Sequence, residues 1–559
     1  MNRFLRSIPL LLALLLPASL RAVDTSELER IPVQDNGRKK PYATVARETV
    51  LTLTGRSVWK DPATGNRVDA VPLFTSIWVE PAGWEKRPLI LVNFRPLKKT
   101  LGLAEKQKYF TYEELAGNAE LGRIVMQANA AQARDRNAKP DRSGQEAQQV
   151  ASRLELFRRL VGGEVVALVP DPKESMGRWL VPAAAGSLWP DEVARPIVES
   201  SARMKAAHAT GDAPGFLAAS RELRDALERL GAPSYPDRRI IELEHFYQDL
   251  HPFRIAWVLY LLGGTVLLVT SGRGRAVGYR IAWALVFLGF VAQVYGFYCR
   301  IAIAGRPPVT NMYESVIWVA FGTILFALIF EAIYRCRVFL LGAVPVSVVS
   351  LILADTQPLM LNSAINPLVP VLRDNFWLTT HVLSITLSYA AFALALGVGH
   401  LALGQVIGGR RPSPSLYQYL YRALQIGVLL LATGTILGGV WANYSWGRFW
   451  DWDPKETWAL IALLGYLIVL HGRIAGWWAG FGLAVGSVVG FLSVLMAWYG
   501  VNFVLGAGLH SYGFGTGGFP VVFGFVLLDL AFVGLALARY RALRAPRPEG
   551  APSAEAATE

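Results

Sequence analysis

The sequence predicts an α-helical polytopic membrane protein with about nine transmembrane helices and an N-terminal α+β extracytoplasmic domain. Hydrophobic residues make up 53% of the 559 residues and charged residues only 17%, a balance unlike that of soluble domains. Long apolar runs begin at Phe253, whereas no earlier stretch after the N-terminus is apolar for long enough to cross a bilayer. The chain therefore divides into a polar domain, residues 23–250, and a membrane domain, residues 251–545.

The first 22 residues have the pattern of a signal peptide. The stretch MNRFLRSIPLLLALLLPASLRA contains two early arginines, an apolar run of about ten residues and small residues near its end. An uncleaved anchor helix is the alternative, although the apolar run is short for a bilayer span. In both cases residues 23–250 are expected on the outer side of a bacterial inner membrane.

Within the polar domain, alternation and short apolar runs predict strands in ATVARETVLTLTGRSVW, PLILVNF and GEVVALVP. Helical composition predicts helices within residues 121–161 and 191–230. The stretch 128–149, rich in alanine, glutamine and arginine, fits either a solvated helix or a mobile linker. These patterns together predict an α+β domain.

Nine apolar stretches in the membrane domain are long enough to be transmembrane spans. They cover about 253–270, 281–303, 314–334, 338–354, 376–406, 423–440, 457–472, 479–499 and 518–538. An odd number of spans places the end of the chain on the side opposite the N-terminal domain. Residues 546–559 are therefore predicted to be a cytoplasmic tail.

The arginines support this topology, since positive residues collect in cytoplasmic loops. The loops predicted to be cytoplasmic contain Arg273, Arg275, Arg280, Arg335, Arg337, Arg410, Arg411, Arg422, Arg473, Arg539, Arg541, Arg544 and Arg547. The outer loops contain few basic residues, chiefly Arg306, Arg373, Arg448 and Lys455. The formal net charge of +13 is thus typical of a membrane protein and does not indicate a nucleic-acid partner.

The two cysteines exclude several classes of function. Cys299 and Cys336 lie in or beside apolar segments, and the chain contains neither a C-x-x-C nor a C-x-x-C-H motif. The protein is therefore neither a thiol oxidoreductase nor itself a c-type cytochrome, and no disulfide framework is expected.

A tryptophan-rich stretch, residues 441–458 with the sequence WANYSWGRFWDWDPKETW, is predicted to form an outer loop between spans six and seven. Its tryptophans and acidic residues are Trp441, Trp446, Trp450, Trp452, Trp458, Asp451, Asp453 and Glu456. An interfacial aromatic belt is the simplest explanation, but a belt places only one or two aromatic residues at a span end. A cluster of indole rings beside fixed acids suits a large planar ligand such as a porphyrin, although a quinone would stack as well.

Histidines favour the porphyrin. The topology places His381 at the outer start of span five and His510 in the outer loop between spans eight and nine, on the same side as the tryptophans. Two imidazoles at one membrane depth can ligate the two faces of a six-coordinate haem iron, beside an aromatic platform for the ring. His471, near the cytoplasmic end of span seven, is either a second haem ligand or an interfacial histidine. His400 is expected to be structural.

The segment WGRFWDWDPKETW resembles the WWD signature of haem-handling proteins, and residues 253–540 resemble the CcsA (ResC) family of system II cytochrome c synthetases. GRPPVTNMYESVIW, INPLVPVLRDNFWLTTHVLSITLSYAAF and ETWALIALLGYLIVLHGR support the resemblance. It implies that His381 and His510 ligate the iron of haem b outside the membrane and that His471 ligates it during passage. It also implies that the WWD segment binds the porphyrin and that haem vinyl groups are joined to the thiols of a C-x-x-C-H apocytochrome c.

The resemblance further implies a ResB- or CcsB-like membrane partner, because that component supplies another membrane histidine. His245 and His251, just before span one, are either substitutes for that histidine or interfacial residues. The expected function is therefore haem delivery within a holocytochrome c synthase, a haem lyase. A haem exporter or haem-loading module akin to CcmC is the alternative, and a quinol-linked oxidoreductase is disfavoured for want of two histidine pairs within helices.

Overall fold

The computed structural model describes residues 24–544 except 62–64, 135–139, 234, 271–274, 369–371, 506–509 and 511–516. The predicted signal peptide and the predicted cytoplasmic tail both lie outside the described residues. The chain divides into two compact units, one formed by Met1–Leu250 with Ala364–Pro367 and the other by His251–Ser363 with Leu368–Glu559.

The first unit is mainly helical with three two-stranded antiparallel ladders. Its strands are β1 Pro32–Asp35, β2 Arg38–Pro41, β3 Val58–Lys60, β4 Arg67–Asp69, β5 Ile90–Leu91 and β6 Tyr109–Phe110, paired in that order. Its helices are α1 Tyr42–Thr54, α2 Ala70–Val79, α3 Arg95–Thr100, α4 Tyr112–Ala116, α5 Ala119–Arg134, α6 Arg142–Val161, α7 Asp191–Thr210, α8 Ala213–Glu228 and α9 Arg238–Leu250. Within residues 128–149, those up to Arg134 belong to α5 and those from Arg142 belong to α6, which favours the helical interpretation for these two parts.

Two strand predictions are wrong. Residues 163–170, GEVVALVP, form no strand and contribute only an isolated bridge from Val169 to Leu180. Residues 43–54 of the alternating stretch form most of helix α1, and a strand follows only at Val58–Lys60. Helix α1 is buried on most of its surface, so its apolar and small residues do not show the clear helical period that would have identified it. The hydroxyl groups of Tyr42 and Thr75 hydrogen bond at 2.8 Å and join α1 to α2 within the core.

The second unit contains the membrane helices. They are α10 Pro252–Val269, α11 Arg275–Ala304, α12 Met312–Tyr334, α13 Val338–Thr356, α14 Asn375–Ile407, α15 Pro414–Trp446, α16 Pro454–Ile474, α17 Gly480–Leu505 and α18 Phe519–Arg544. Among the described residues, nine helices are long and apolar enough to cross a membrane, as predicted. The chain is therefore a polytopic helical membrane protein.

Glycines allow close contact between helices α14 and α15. A Cβ atom on Gly427 would lie 2.5 Å from a ring carbon of Phe392, and one on Gly434 would lie 2.8 Å from Ile385. Small residues at such positions let helix backbones approach closely in a membrane, where the hydrophobic effect does not drive association between helices. These contacts hold the central part of α14 against the central part of α15.

A buried ion pair supports the start of α12. The guanidinium of Arg300 donates to Glu314 at 2.6 Å, and the two side chains are only 1% and 2% exposed. Glu314 also accepts from the backbone and the hydroxyl of Thr310, at 2.8 and 2.7 Å. The pair therefore holds the segment that leads into α12.

We expect Glu314→Ala to destabilise the protein by about 3 kcal/mol, because it leaves the Arg300 charge buried without its partner. Asp355→Ala is the matched control, since it breaks the Arg254–Asp355 pair of the same unit, whose side chains are 41% and 25% exposed. The Asp355→Ala variant should lose about 1 kcal/mol or less of its free energy of unfolding. Thermal unfolding followed by tryptophan fluorescence measures the stability of both variants. Equal losses of stability would contradict the view that the Arg300–Glu314 pair matters more than the exposed pair.

Candidate functional site

A cavity of about 160 Å³ lies among the ends of α12, α14, α15, α16 and α17. Four residues predicted from the sequence line it: His381, His510, Trp441 and Trp450. These residues come from four separate segments of the chain. The structure thus brings both predicted outer histidines and part of the tryptophan cluster to one cavity.

His381 lies in a π-helical turn, Leu378–Val382, near the start of α14. Its Nδ1 is 2.8 Å from the carbonyl oxygen of Gly434 on α15, so Nδ1 carries the proton and donates it. A Cβ on Gly438 would lie 2.6 Å from Cε1 of the His381 ring. The missing side chain at Gly438 therefore provides the space in which the imidazole lies, and the Gly434 carbonyl sets its tautomer.

His510 is held by Asp453. Its Nδ1 is 2.9 Å from Oδ1 of Asp453, which is 6% exposed. The same carboxylate caps helix α16 by accepting from the backbone N–H of Lys455 at 2.9 Å. An acid at a helix N-terminus is favoured in its ionised form, which can only accept hydrogen bonds. The His510 Nδ1 is therefore the donor in this bond.

Aromatic rings surround both imidazoles. The rings of Trp377 and Trp441 lie nearly parallel, with centroids 6.5 Å apart and an interplanar angle of 9°, and the Trp441 ring is 5.5 Å from that of His381. The Trp446 ring meets His510 edge-on at 5.3 Å. Each histidine thus has a tryptophan of the tryptophan-rich stretch, residues 441–458, as its neighbour.

The WWD loop, predicted to cover residues 441–458, is shorter in the structure. Helix α15 continues through Trp446 and ends at Gly447, whose φ of 71° is a left-handed helix cap, and α16 begins at Pro454. Only residues 447–453 form the loop, because the chain contains no helix breaker between residue 441 and Gly447. The tryptophan-rich stretch is therefore two helix ends with a tight connection.

Three predicted residues of this stretch, Asp451, Trp452 and Trp458, lie outside the cavity, whereas Glu456 lines it. Trp452 is 69% exposed and has a φ of 57°, an unusual value for a bulky residue. Asp451 is exposed and pairs with Arg448 at 3.3 Å, while its backbone N–H donates to Glu456. Trp458 lies in the second turn of α16 and does not line the cavity.

Several cavity residues were not predicted from the sequence: Asn311, Tyr389, Lys455, Trp498 and Asn502. Asn311 and Lys455 stood within the segments that carried the family resemblance, so that signal was available. Trp498 and Asn502 had no comparable signal, since they lie in an ordinary apolar span. They reach the cavity because α17 ends in a π-helical segment, Met496–Leu505.

The other histidines lie elsewhere. His471 is exposed, and its Nδ1 donates to the carbonyl oxygen of Leu467 at 2.8 Å. His400 bonds to Leu396 and to Asp529, each at 2.9 Å, which agrees with a structural role. His245 contacts Glu29 at 3.1 Å and Asp249 at 3.2 Å within the first unit.

A family model described as cytochrome C assembly protein matches residues 309–510, which include every residue that lines the cavity. A CcsA cytochrome c biogenesis protein from Prochlorococcus marinus is 38% identical over 245 residues, or 38% of this chain and 78% of the relative. Another, from a Synechococcus species, is 33% identical over 305 residues, covering 47% of this chain and 98% of the relative. Together with the nine spans, these matches define a multi-pass membrane protein of cytochrome c assembly. The chain belongs to the CcsA family of cytochrome c biogenesis proteins.

Protein NrfI from Wolinella succinogenes is 29% identical over 500 residues, covering 85% of this chain. The chain spans about half of that relative, 53% of its length. Among solved structures, the cytochrome c haem lyase CcmF gives a TM-score of 0.38 with 18% identity, over 52% of this chain and 50% of CcmF. That score is too low to support a conclusion about function.

We expect Gly438→Ala to lower the haem content of the purified protein by about tenfold or more, because the new methyl group displaces the His381 ring. The readout is the ratio of Soret absorbance to protein. Gly465→Ala is the matched control, since a Cβ there meets nothing within 4 Å. Equal haem content in the two variants would mean that the His381 position does not govern haem binding.

Proposed function

We propose that this chain carries haem b to the non-cytoplasmic face of the membrane and presents it for covalent attachment to the C-x-x-C-H motif of apocytochrome c. One observation carries the proposal. His381 and His510, far apart in sequence, line one tryptophan-bordered cavity, and each engages a hydrogen-bond acceptor through Nδ1.

These hydrogen bonds prepare both imidazoles for iron. A proton on Nδ1 leaves the lone pair of a neutral imidazole on Nε2, the nitrogen that would bind the metal. Metal-binding histidines usually donate their other N–H to a carbonyl or carboxylate, as the Gly434 and Asp453 bonds do here. Two such imidazoles fit the axial positions of a haem.

The cavity also offers groups for the haem carboxylates. The Trp450 indole N–H is buried without an acceptor among the described residues. The Lys455 ammonium belongs to a cavity-lining residue and makes no hydrogen bond to a residue that the structure describes. We propose that these donors receive the propionates, since a carboxylate would neutralise the ammonium and satisfy the indole.

The size of the cavity bears on how haem would lie. About 160 Å³ is less than the roughly 300–1,000 Å³ of pockets that enclose a small ligand. Binding therefore requires the lining side chains to move, or leaves part of the ring outside. An exposed edge suits the reaction, because the two thiols must reach the vinyl groups.

Thioether formation is an addition that needs no net oxidant. Each thiol sulfur bonds to one vinyl carbon and the thiol proton ends on the other carbon. The chain would contribute by holding the iron and orienting the ring, since fixed proximity of reacting groups supplies much of the acceleration. The histidine of the apocytochrome motif would then replace one of the two axial ligands. No residue is assigned as a general base.

His471 supports a role for a partner subunit. Its Nδ1 is engaged by the backbone of its own helix, and its Nε2 makes no hydrogen bond to the described residues. The side chain is exposed on the second unit, so a haem bound there during passage would be open to a second ligand from another protein. We propose that a ResB- or CcsB-like membrane subunit supplies it. The carboxylates around His245 make that residue a poor substitute.

We also propose on which side of the membrane each part of the chain lies. The arginine distribution supports an outer N-terminal domain, residues 23–250, and a basic cytoplasmic end of α18. The outer domain is then suited to docking either the apocytochrome or the partner. The alternative function, a haem exporter that loads a chaperone without catalysing attachment, uses the same cavity and differs only in the acceptor.

Co-expression distinguishes these functions. The full chain, a ResB-like partner and a C-x-x-C-H apocytochrome are produced in a host without its own cytochrome c maturation, and covalent haem is measured on denaturing gels. We expect holocytochrome with wild type and a loss of at least about tenfold with His381→Ala or His510→Ala, because each removes an axial ligand.

His208→Ala is the control, since that histidine contacts Ser76 and Glu80 within the first unit and is not among the residues that line the cavity. It should leave the yield unchanged. Haem on this chain without covalent product, together with loading of a chaperone, would replace the proposal with the exporter function. Full activity of both cavity-histidine variants would contradict either function.

A further inference from the structure

A second cavity, of about 720 Å³, lies between helices α16, α17 and α18 and shares no lining residue with the tryptophan cavity. Its wall includes Val469, Gly486, Val489, Leu537, Arg541 and Arg544. It extends along the last turns of α18, the end that the arginine distribution predicts to be cytoplasmic. We call it the α18 groove.

The floor of the α18 groove is apolar because valine, glycine and leucine residues line it. A Cβ on Gly486 would lie 2.7 Å from a methyl carbon of Val469, so α17 meets α16 closely at that point. One wall is aromatic, since the rings of Phe481 and Tyr540 stack with centroids 3.8 Å apart. The groove therefore offers a strip of hydrocarbon and ring surface to an apolar chain.

The rim of the α18 groove is cationic. Arg541 and Arg544 are both exposed, and no acidic residue is among the residues that line the groove. Neither guanidinium makes a hydrogen bond or ion pair to a described residue, and that of Arg544 lies over the Tyr540 ring, 4.6 Å from its centroid. Two unneutralised guanidiniums beside an apolar strip fit a ligand with an anionic head and a hydrocarbon tail.

We propose that the α18 groove binds one anionic phospholipid of the cytoplasmic leaflet, with its phosphate on Arg541 and Arg544 and an acyl chain over Val489. Charge complementarity selects the anionic headgroup, and the apolar floor selects the lipid over free phosphate. The occupant would also complete the packing of α18, in whose apolar window only 17% of residues are buried. The lipid thus acts as a structural neighbour of this helix.

Native mass spectrometry of the full, delipidated chain tests the proposal. The protein is offered equal amounts of phosphatidylglycerol and phosphatidylcholine with identical acyl chains. We expect one tightly retained phosphatidylglycerol on wild type. The double variant Arg541→Gln, Arg544→Gln should bind it about 25-fold more weakly, about fivefold for each arginine.

Matched variants separate a specific site from general attraction to charge. The control Arg410→Gln, Arg411→Gln removes the same charge from another predicted cytoplasmic loop, outside the groove, and should retain the lipid. Val489→Phe keeps both arginines but narrows the apolar strip, and should also weaken binding. If the double arginine variant fails to fold, the Val489→Phe variant still tests the proposal.

Several outcomes would overturn the proposal. The first is equal binding of the two lipids by wild type. The second is a loss of phosphatidylglycerol from the Arg410 and Arg411 control as large as that from the double arginine variant. The third is unchanged phosphatidylglycerol binding by Val489→Phe. Displacement of the lipid by millimolar inorganic phosphate would identify a phosphate site without a lipid tail. Displacement by haem, with haem retained on wild type and lost from the double variant, would identify the groove as a haem site.

Discussion

The hydrogen bond between Asp453 and His510 is the contact on which the candidate site depends. Asp453 ends the WWD loop, caps helix α16 and accepts the Nδ1 proton of His510, so one buried carboxylate joins three parts of the site. The cap orients the carboxylate, and the helix dipole favours its ionised form. Loss of this carboxylate would release His510 and the start of α16 together. We therefore propose that Asp453 acts as a positioning residue for His510.

The sequence was sufficient for the membrane part of the fold and insufficient for the N-terminal unit. Long apolar runs such as residues 314–334 leave only a helix as a stable spanning structure, so α12 was predictable to within a few residues. Helix α1 was not, because its valines and threonines suggested a strand and its burial on most sides concealed the helical period. Tertiary packing decided that segment, and packing is not visible in a local pattern.

Within the site, topology alone identified His381 and His510 as lying on one side, but only the three-dimensional arrangement separates Trp450 from Trp452. Two residues apart in one loop, they appeared equivalent in the sequence, yet Trp450 lines the cavity and Trp452 is 69% exposed. The left-handed backbone at Trp452 turns that side chain away. Gly438 also had no sequence signal, since its role is to leave space for an imidazole on another helix. Such features follow from helix contacts, which local patterns do not encode.

The axial ligation of ferric haem on the purified full chain tests the site most directly. Pulsed electron paramagnetic resonance with ¹⁵N-labelled histidine counts the imidazole nitrogens bound to the iron. We expect low-spin haem with two axial imidazoles in wild type, and the loss of one when either His381 or His510 is replaced by alanine. Two axial imidazoles persisting in both single variants would contradict the assignment of these residues as the iron ligands.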